Sequence, residues 1–382
     1  MWNDNREFDS MIYLLYCALN DASPDASRLK GIDGGKFAAL CKQQQLSALV
    51  YMAAEKLDAA VFGEKGAERL RSNALQAIRV NVLFEMERMQ VFGALQRENI
   101  PYMPLKGCVL KQYYPEAKRR EMGDVDVLID SENAERIREL MISLGYACED
   151  FGETHHDEYF KEPFYTFEMH RSLSHHFGDT WDHYYENIRE KLLPSGDGSC
   201  ELRFTDEDFY LYLFIHGYRH YQTAGIGVKF LTDIFCYLRK VKLDEAYLEQ
   251  ELTKLGVKDE ERFFRNLAFK VFSPERSQEA LTAQENGAME VLLMAGAYGS
   301  DESAVKLRLN QMSEDGGAQN KMQYIGSRLT HLPPVYTYRY PRLYRCVLTR
   351  PIVYGIRLWD GVTKKRGKIS AELQTFDKMD SQ

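Results

Sequence analysis

The sequence predicts an α+β fold in which a small mixed sheet lies between an N-terminal and a C-terminal helical region. Apolar residues recur at helical spacing before residue 98 and again after residue 205, a pattern typical of amphipathic helices. Between these regions, residues 100–170 contain short segments in which apolar and polar residues alternate, a pattern typical of strands with one buried face. Because the two patterns occupy separate parts of the chain, we expect a mixed sheet flanked by helices.

The N-terminal region is predicted to be helical from residue 8 to about residue 78. Phe8, Met11 and Leu15 recur at helical spacing, and a long helix is predicted over residues 68–98. We expect the apolar stripe of this long helix to pack against a neighbouring element in the core. The stripe consists of Leu70, Leu75, Ile78, Val82, Leu83, Met86, Met89, Val91 and Leu95.

Residues 100–170 are predicted to form a mixed α/β unit with four or five strands. The alternation is clearest where Val125 and Val127 are separated by charged residues, since successive strand residues face opposite sides of a sheet. Between the strands, a helical piece is expected at residues 108–114 and a longer helix at residues 131–144. The strands are predicted at residues 100–105, 123–130, 146–149, 155–160 and 164–170.

The C-terminal region is predicted to be helical from Thr205 onward, with acidic residues in the first turn of its first helix. Loops are expected at residues 195–200 and 313–318, which are rich in glycine and polar residues. These transitions divide the chain into three predicted units. They are an N-terminal helical region (1–78), an α/β core (79–195) and a C-terminal helical region (196–382).

The composition indicates a globular chain with more than one unit. Its 382 residues exceed the size of one ordinary core, and 45% hydrophobic with 28% charged residues is usual for a soluble protein. The formal net charge of −8 argues against an extended nucleic-acid surface. Seven scattered cysteines without a Cys-x-x-Cys pair favour reduced thiols in the cytoplasm. The chain start is polar, and no apolar run is long enough for a membrane helix.

The end of the chain differs in charge from the rest. Residues 331–382 contain 10 Lys and Arg against 4 Asp and Glu, together with several tyrosines. This pattern indicates either contact with a nucleic acid or anionic surface, or a solvated helical face with tyrosines packed inward. The second interpretation is favoured because charged runs usually face solvent.

Asp124 and Asp126 form the most informative motif, two residues apart in the predicted strand over residues 123–130. Strand residues i and i+2 face the same side, about 7 Å apart along the strand. Two such carboxylates repel each other unless a cation lies between them, and magnesium prefers a few carboxylate oxygens together with phosphate oxygens. The pair therefore indicates a metal site, although a surface strand can also carry Asp-Val-Asp without a metal.

The predicted strand-to-helix turn at Lys106 and Gly107 has the features of a phosphate-binding turn. Glycine lets the backbone approach a phosphate, the following helix offers free N–H groups, and Lys106 adds a full positive charge. Glu168 supplies a third acid on a later strand, where it has the simpler alternative of a surface acid. A phosphate cradle, a carboxylate pair and a further acid are the parts of metal-assisted phosphoryl or nucleotidyl transfer.

Two groups of histidines need separate interpretations. His216 and His220 lie four residues apart in a predicted helix, which suits a metal or a phosphate and equally suits a hydrogen-bonded contact between helices. The other group indicates a zinc cluster or a solvated loop, and the absence of cysteine partners favours the loop. Its members are His155, His156, His175, His176 and His183.

Three segments occur in an order that is typical of one enzyme superfamily. Pro104-Leu-Lys-Gly107 is followed by Arg120-Glu-Met-Gly-Asp-Val-Asp-Val-Leu128 and then by Glu168-Met-His170. In this order they resemble a bacterial group of uncharacterised nucleotidyltransferases with a Leu-Lys-Gly motif, which belongs to the superfamily of DNA polymerase β. The helix Leu213–His220 and the segment Phe230–Asp233 are similar to the downstream helical region of that group.

The resemblance implies a role for each acid and for the turn. Asp124 and Asp126 would bind magnesium, with two ions expected and manganese as an alternative. Glu168 would be a third metal ligand or the base that deprotonates an acceptor hydroxyl. Gly107 would line the triphosphate, and Arg120 would neutralise phosphate charge with its planar guanidinium.

The helix that carries His216 and His220 would close over the nucleotide beside Lys106. The implied activity is transfer of a nucleoside monophosphate from an NTP, ATP before the others, with release of pyrophosphate. The acceptor is undetermined among small molecules, proteins and tRNA, and no membrane partner is expected. The turn departs from the superfamily pattern, because Gly107 is followed by Cys108 rather than by Ser or Gly, and a thiol is a poor donor. A catalytically weak nucleotide-binding module and a toxin–antitoxin component are the alternatives.

Overall fold

The computed structural model describes residues 5–173, 179–223, 225–277, 279–297, 332, 336 and 340–363. It has a four-stranded mixed sheet and a separate two-stranded sheet, with helices before and after them. The predicted α+β class, a small mixed sheet flanked by helical regions, is confirmed. Within the described part of the chain, no helix has the length and apolar character that a membrane span requires.

The N-terminal region contains four helices, as the apolar periodicity predicts. The Asn5 side chain accepts a hydrogen bond from the Phe8 N–H, and Asp33 does the same for Gly35 and Lys36, so both helices begin at a side chain that satisfies free N–H groups. The helices are α1 (Arg6–Leu19), α2 (Gly34–Gln43), α3 (Ser47–Ala54) and α4 (Glu64–Arg97).

The main sheet has the strand order β1-β2-β4-β3, in which β2 and β4 are parallel and the two edge pairings are antiparallel. A strand predicted at residues 146–149 is wrong, because only Ala147 forms an isolated bridge, to Phe160, before the chain bends away. The elements of this region are β1 (Tyr102–Pro104), α5 (Gly107–Leu110), β2 (Val125–Ile129), α6 (Ala134–Ser143), β3 (His156–Lys161) and β4 (Tyr165–His170).

The C-terminal part is helical after a short hairpin, whose turn contains the loop predicted at residues 195–200. The loop predicted at residues 313–318 lies outside the described residues. The elements are α7 (Asp179–Tyr185), β5 (Leu193–Pro194), β6 (Leu202–Arg203), α8 (Asp206–Thr223), α9 (Lys229–Lys240), α10 (Glu245–Leu255), α11 (Lys258–Phe272), α12 (Ala283–Ala295), α13 (Pro341–Arg345) and α14 (Arg350–Thr363).

The sheet separates two hydrophobic cores. Val125 and Val127 point to a core shared with α4 and α6, whereas Leu128, on the opposite face, joins a larger core built from the N-terminal and C-terminal helices. Gln44 is fully buried there and connects distant segments, since its amide donates to the Leu292 carbonyl and accepts from the Val228 N–H. Helices from the first and third predicted units therefore share one core, and the division at residues 78 and 195 stays a prediction.

The prediction that the apolar stripe of α4 is buried is only partly right. Val91 and Leu95 pack under the sheet, but Met86 and Met89 are 63% and 65% exposed. The helix α4 has 34 residues, whereas the strands it covers have three to six. Part of its apolar stripe therefore has no packing partner among the described residues and stays exposed. Helical periodicity identifies the apolar residues of a helix, but it does not show which of them pack against another element.

Gly217 in α8 fixes how closely that helix packs on α9. A Cβ at this position would lie 2.3 Å from a ring carbon of Phe230, and Phe230 is itself buried against Phe264. We expect Gly217→Ala to lower the free energy of unfolding by about 1–3 kcal/mol through overpacking. Urea titration measures the change, and Gly287→Ala in α12, where the added Cβ meets open space, is the control expected to stabilise slightly. Equal midpoints for the Gly217 variant and the wild type would contradict the prediction.

Candidate active site

The sheet brings the three predicted acids into one pocket. Asp126 in β2 is the cross-strand partner of Glu168 in β4, so both side chains lie on the same face of the sheet. Asp124 is two residues before Asp126 and shares that face. All three line a pocket of about 350 Å³, which is the size of a small-ligand site.

The turn between β1 and α5 is tied directly to the strand that carries these acids. The Leu105 N–H donates to the Asp126 carbonyl at 3.0 Å, and Lys106 follows with a φ of +40°. From this position the Lys106 ammonium lies 2.7 Å from the Asp126 carboxylate. Because α5 has only four residues, its dipole is small, and the positive charge at the turn comes from Lys106.

Gly107 begins α5 at a point where there is no space for a side chain. A Cβ on Gly107 would lie 2.8 Å from the Arg120 guanidinium and 2.9 Å from the Met122 sulfur. The glycine is therefore needed for the close packing of these two side chains on the turn. Its predicted contact with a triphosphate stays a prediction, and Gly107 does line the pocket.

Arg120 also lines the pocket, but its guanidinium is bound to a protein carboxylate. Its Nε and Nη2 donate to the two oxygens of Asp233 at 2.7 and 2.8 Å, and the Tyr114 hydroxyl donates to the same carboxylate at 2.5 Å. Asp233 lies in α9, so this buried pair joins the segment before β2 to the C-terminal helices. The predicted contact of Arg120 with phosphate stays a prediction.

His216 and His220 reach the same pocket from α8, with ring centroids 4.6 Å apart. Burial, and then the nearby Lys106 charge, lower the pKa of His220 to about 4. The His220 imidazole is therefore neutral near pH 7, and one ring nitrogen can donate while the other accepts. This placement beside the acids is compatible with the predicted contact to nucleotide or metal.

The acids in the pocket have very different affinities for a proton. Burial, together with the Asp126 and Glu168 carboxylates, raises the pKa of Asp124 to about 6. Burial alone would also raise the pKa of Asp126, but Lys106 and His170 hold it well below its usual range. The three carboxylates carry more negative charge than the two lysines of the pocket neutralise, and a divalent cation beside Asp124 would relieve the repulsion.

We expect Asp124→Asn to stabilise the protein in EDTA by about 2 kcal/mol at pH 8 and by less at pH 5. The raised pKa means that the folded state holds the Asp124 proton more tightly, so stability is lost as pH rises from about 4 to 6. Urea unfolding at both pH values measures this effect. The matched control is Asp130→Asn, because Asp130 follows β2 and forms an ion pair with Arg189. An unchanged urea midpoint for Asp124→Asn at pH 8 would show that the carboxylates do not repel each other enough to affect stability.

Asp126, Glu168 and His170 are the group that could hold a metal most directly. Their donor atoms all lie within 4.8 Å of one another, and Asp124 lies outside this group. Carboxylate oxygens suit magnesium, and a set with two oxygens and one imidazole nitrogen also suits manganese. The donor chemistry therefore fits a divalent cation. The predicted metal set differs from this group because it contains Asp124 in place of His170, and it stays a prediction.

A family model described as uncharacterised nucleotidyltransferase matches residues 30–273. This region is well over half of the chain. The chain belongs to the uncharacterised nucleotidyltransferase family. No curated protein and no solved structure matches the chain. The matched region includes α2–α11 and every predicted site residue, which is wider than the motif segments that suggested the resemblance.

The pocket contains further residues for which the sequence predicted no role. His170 lies 2.9 Å from Asp126 and 3.4 Å from Glu168. Its position two residues after Glu168 on a strand was the available signal. Lys229 donates to the Glu121 carbonyl at 2.8 Å and lines the pocket. Burial, and then Arg120, lower its pKa to about 8. Lys229 directly precedes the segment Phe230–Asp233 that carries part of the resemblance, and this was the available signal.

The solvated-loop interpretation of the other histidines is wrong for His156. This residue begins β3, is the cross-strand partner of His170, and lines the pocket. Pairing of the third and fourth strands, which the local sequence does not specify, brings it to the site. His183 is exposed on α7, and His175 and His176 lie outside the described residues.

Proposed function

We propose that this nucleotidyltransferase transfers a nucleoside monophosphate from an NTP to an acceptor, releases pyrophosphate, and depends on magnesium. The observation that supports this most strongly is the convergence of Asp124, Asp126 and Glu168 on one pocket that also contains Lys106 and Lys229. Three acids for a cation and two lysines for phosphates are what the reaction needs. ATP is the first donor to test.

Each pocket residue has a proposed task in this reaction. When bound, magnesium would neutralise charge on the phosphate oxygens. Lys106 would turn from Asp126 to the triphosphate once that carboxylate has a cation. Lys229 would bind the pyrophosphate part, and Glu168 would accept the proton of the acceptor hydroxyl. The neutral imidazole of His220, together with His216 beside it, would hydrogen-bond to the nucleotide.

The ion pair between Lys106 and Asp126 supports an alternative, a nucleotide-binding module with little catalysis. The two groups lie 2.7 Å apart and neutralise each other, and the Lys106-Gly107-Cys108 turn lacks the hydroxyl donor of related turns. In that case nucleotide would bind without pyrophosphate release. The toxin–antitoxin alternative predicts a second chain that co-purifies with this protein.

The deciding experiment measures pyrophosphate release from each of the four NTPs with magnesium, using a cell lysate as the source of acceptor. Release that disappears in Asp124→Ala/Asp126→Ala and persists in Asp130→Asn would support transfer. Calorimetry with a non-hydrolysable NTP on the same proteins separates the alternatives. Binding without release would favour the module, and neither binding nor release would overturn both nucleotide proposals.

A further inference from the structure

We propose that His155, His156 and His170 form a second metal centre, which selects a transition-metal ion such as Zn²⁺ or Co²⁺ over magnesium. One ligand atom from each of these histidines lies within 4.8 Å of the others. Nitrogen atoms bound to one ion by bonds of about 2 Å lie about 3–4 Å apart, so the three imidazoles need only small side-chain movements to share an ion. The centre does not depend on the proposed transferase activity.

Backbone pairing in and beside the sheet places the three histidines next to one another. His156 in β3 and His170 in β4 are cross-strand partners, with ring centroids 5.2 Å apart. His155 precedes β3, and its carbonyl accepts from the Arg171 N–H at 2.9 Å. Backbone hydrogen bonds therefore hold this part of the chain against the end of β4. Three ligands held in this way lose little conformational freedom when they bind an ion.

The imidazole rings already face one another. The His156 Nδ1 lies 3.1 Å from the His155 Nε2, and the two ring centroids are 4.5 Å apart. A bound ion would replace this single hydrogen bond with a bond to each nitrogen. Structural and catalytic zinc sites have four ligands. The fourth would be water or Glu168, whose carboxylate lies 3.4 Å from the His170 Nε2.

The donor type separates this centre from the acidic one. Three nitrogen donors suit zinc, cobalt, nickel and copper, whereas magnesium prefers oxygen ligands and keeps several waters. Asp126 and Glu168 provide oxygens only a few ångströms away, and His170 belongs to both groups. We therefore expect excess magnesium to bind at Asp126 and Glu168 without displacing the transition-metal ion from the histidines.

Cobalt absorption on the full chain, after treatment with EDTA, tests the proposal. Wild type is expected to bind Co²⁺ with visible d–d bands that persist in excess Mg²⁺. His155→Ala/His156→Ala is expected to weaken Co²⁺ affinity by at least about 100-fold, more than the 10–100-fold seen for residues that only orient ligands. His155→Gln/His156→Gln, which keeps polar side chains, is expected to weaken Co²⁺ affinity by the same factor. Circular dichroism verifies the fold of each variant.

Two controls separate this centre from other sites. His183→Ala removes an exposed histidine on α7 and should leave Co²⁺ binding unchanged. Asp124→Asn should also retain it, while losing pyrophosphate release if the proposed transfer is correct. The proposal would be overturned if wild type lacked the Co²⁺ absorption bands of nitrogen ligation, or if the folded double variant bound Co²⁺ with wild-type affinity. Either result would count whatever the transferase assay shows.

Discussion

Asp126→Asn is expected to reduce pyrophosphate release by at least about 10²–10³-fold, the scale for removing one preorganised electrostatic group. Asp126 is buried and contacts both Lys106 and His170, and it belongs to the candidate metal group. Asparagine keeps the shape and one acceptor oxygen but loses the charge. Steady-state pyrophosphate assays with a titration of magnesium measure the loss, and higher magnesium is expected to recover little of it.

The matched control is again Asp130→Asn, because Asp130 lies just after the same strand, carries the same charge and pairs with Arg189 outside the pocket. Its activity should equal that of wild type. Thermal unfolding of both variants distinguishes a lost catalytic group from a lost fold. If Asp126→Asn folds normally and keeps wild-type release, the carboxylate has no part in the reaction.

Asp233→Ala is expected to lower the free energy of unfolding by about 3–5 kcal/mol, the cost of leaving one partner of a buried ion pair alone. Arg120 and Asp233 are both buried, and Asp233 accepts two hydrogen bonds from Arg120 and one from Tyr114. Burial opposes the charge on Arg120, and the Asp233 carboxylate overcomes it, so that the pKa of Arg120 is raised. Removal of the carboxylate leaves that charge without compensation.

Urea unfolding measures this change, with Glu68→Ala as the control. Glu68 pairs with Arg71 on the exposed side of α4, and its removal should leave the urea midpoint nearly unchanged. The double variant Arg120→Met/Asp233→Leu removes both charges and should recover much of the stability, since apolar replacements of a buried pair are often neutral. A double variant that is less stable than Asp233→Ala would show that the pair contributes net stability.

Much of the fold could be predicted from local patterns. The strands that carry Asp126 and Glu168 alternate apolar and polar residues, and most of their apolar residues do face the core behind the sheet. Leu128 is an exception, because it joins the core on the other face. The wrong prediction of a strand at residues 146–149 shows the limit of such patterns. Four residues with suitable side chains form a strand only if they have hydrogen-bonded partners along their whole length. Only Ala147 has one.

The candidate site was predicted in its acids, its turn lysine and two of its histidines, and missed in its other basic residues. Asp124, Asp126 and Glu168 carry their signal in strand periodicity, which a short window of sequence contains. Lys229 carries no strand signal, and the predicted strand over residues 155–160 contains His156 without indicating which strand it pairs with. They reach the pocket because α9 packs against the segment before β2 and because β3 pairs with β4.

The sequence by itself determined the α+β class, the acidic strand and the lysine–glycine turn, since each depends on residues within a few positions of one another. The tertiary structure alone decided that Arg120 binds Asp233 where it lines the pocket. It also decided that His170 belongs to two groups that could hold a metal, and that helices before and after the sheet share one core. These outcomes depend on pairing and burial between segments up to 252 residues apart, and local periodicity contains no information about such distances.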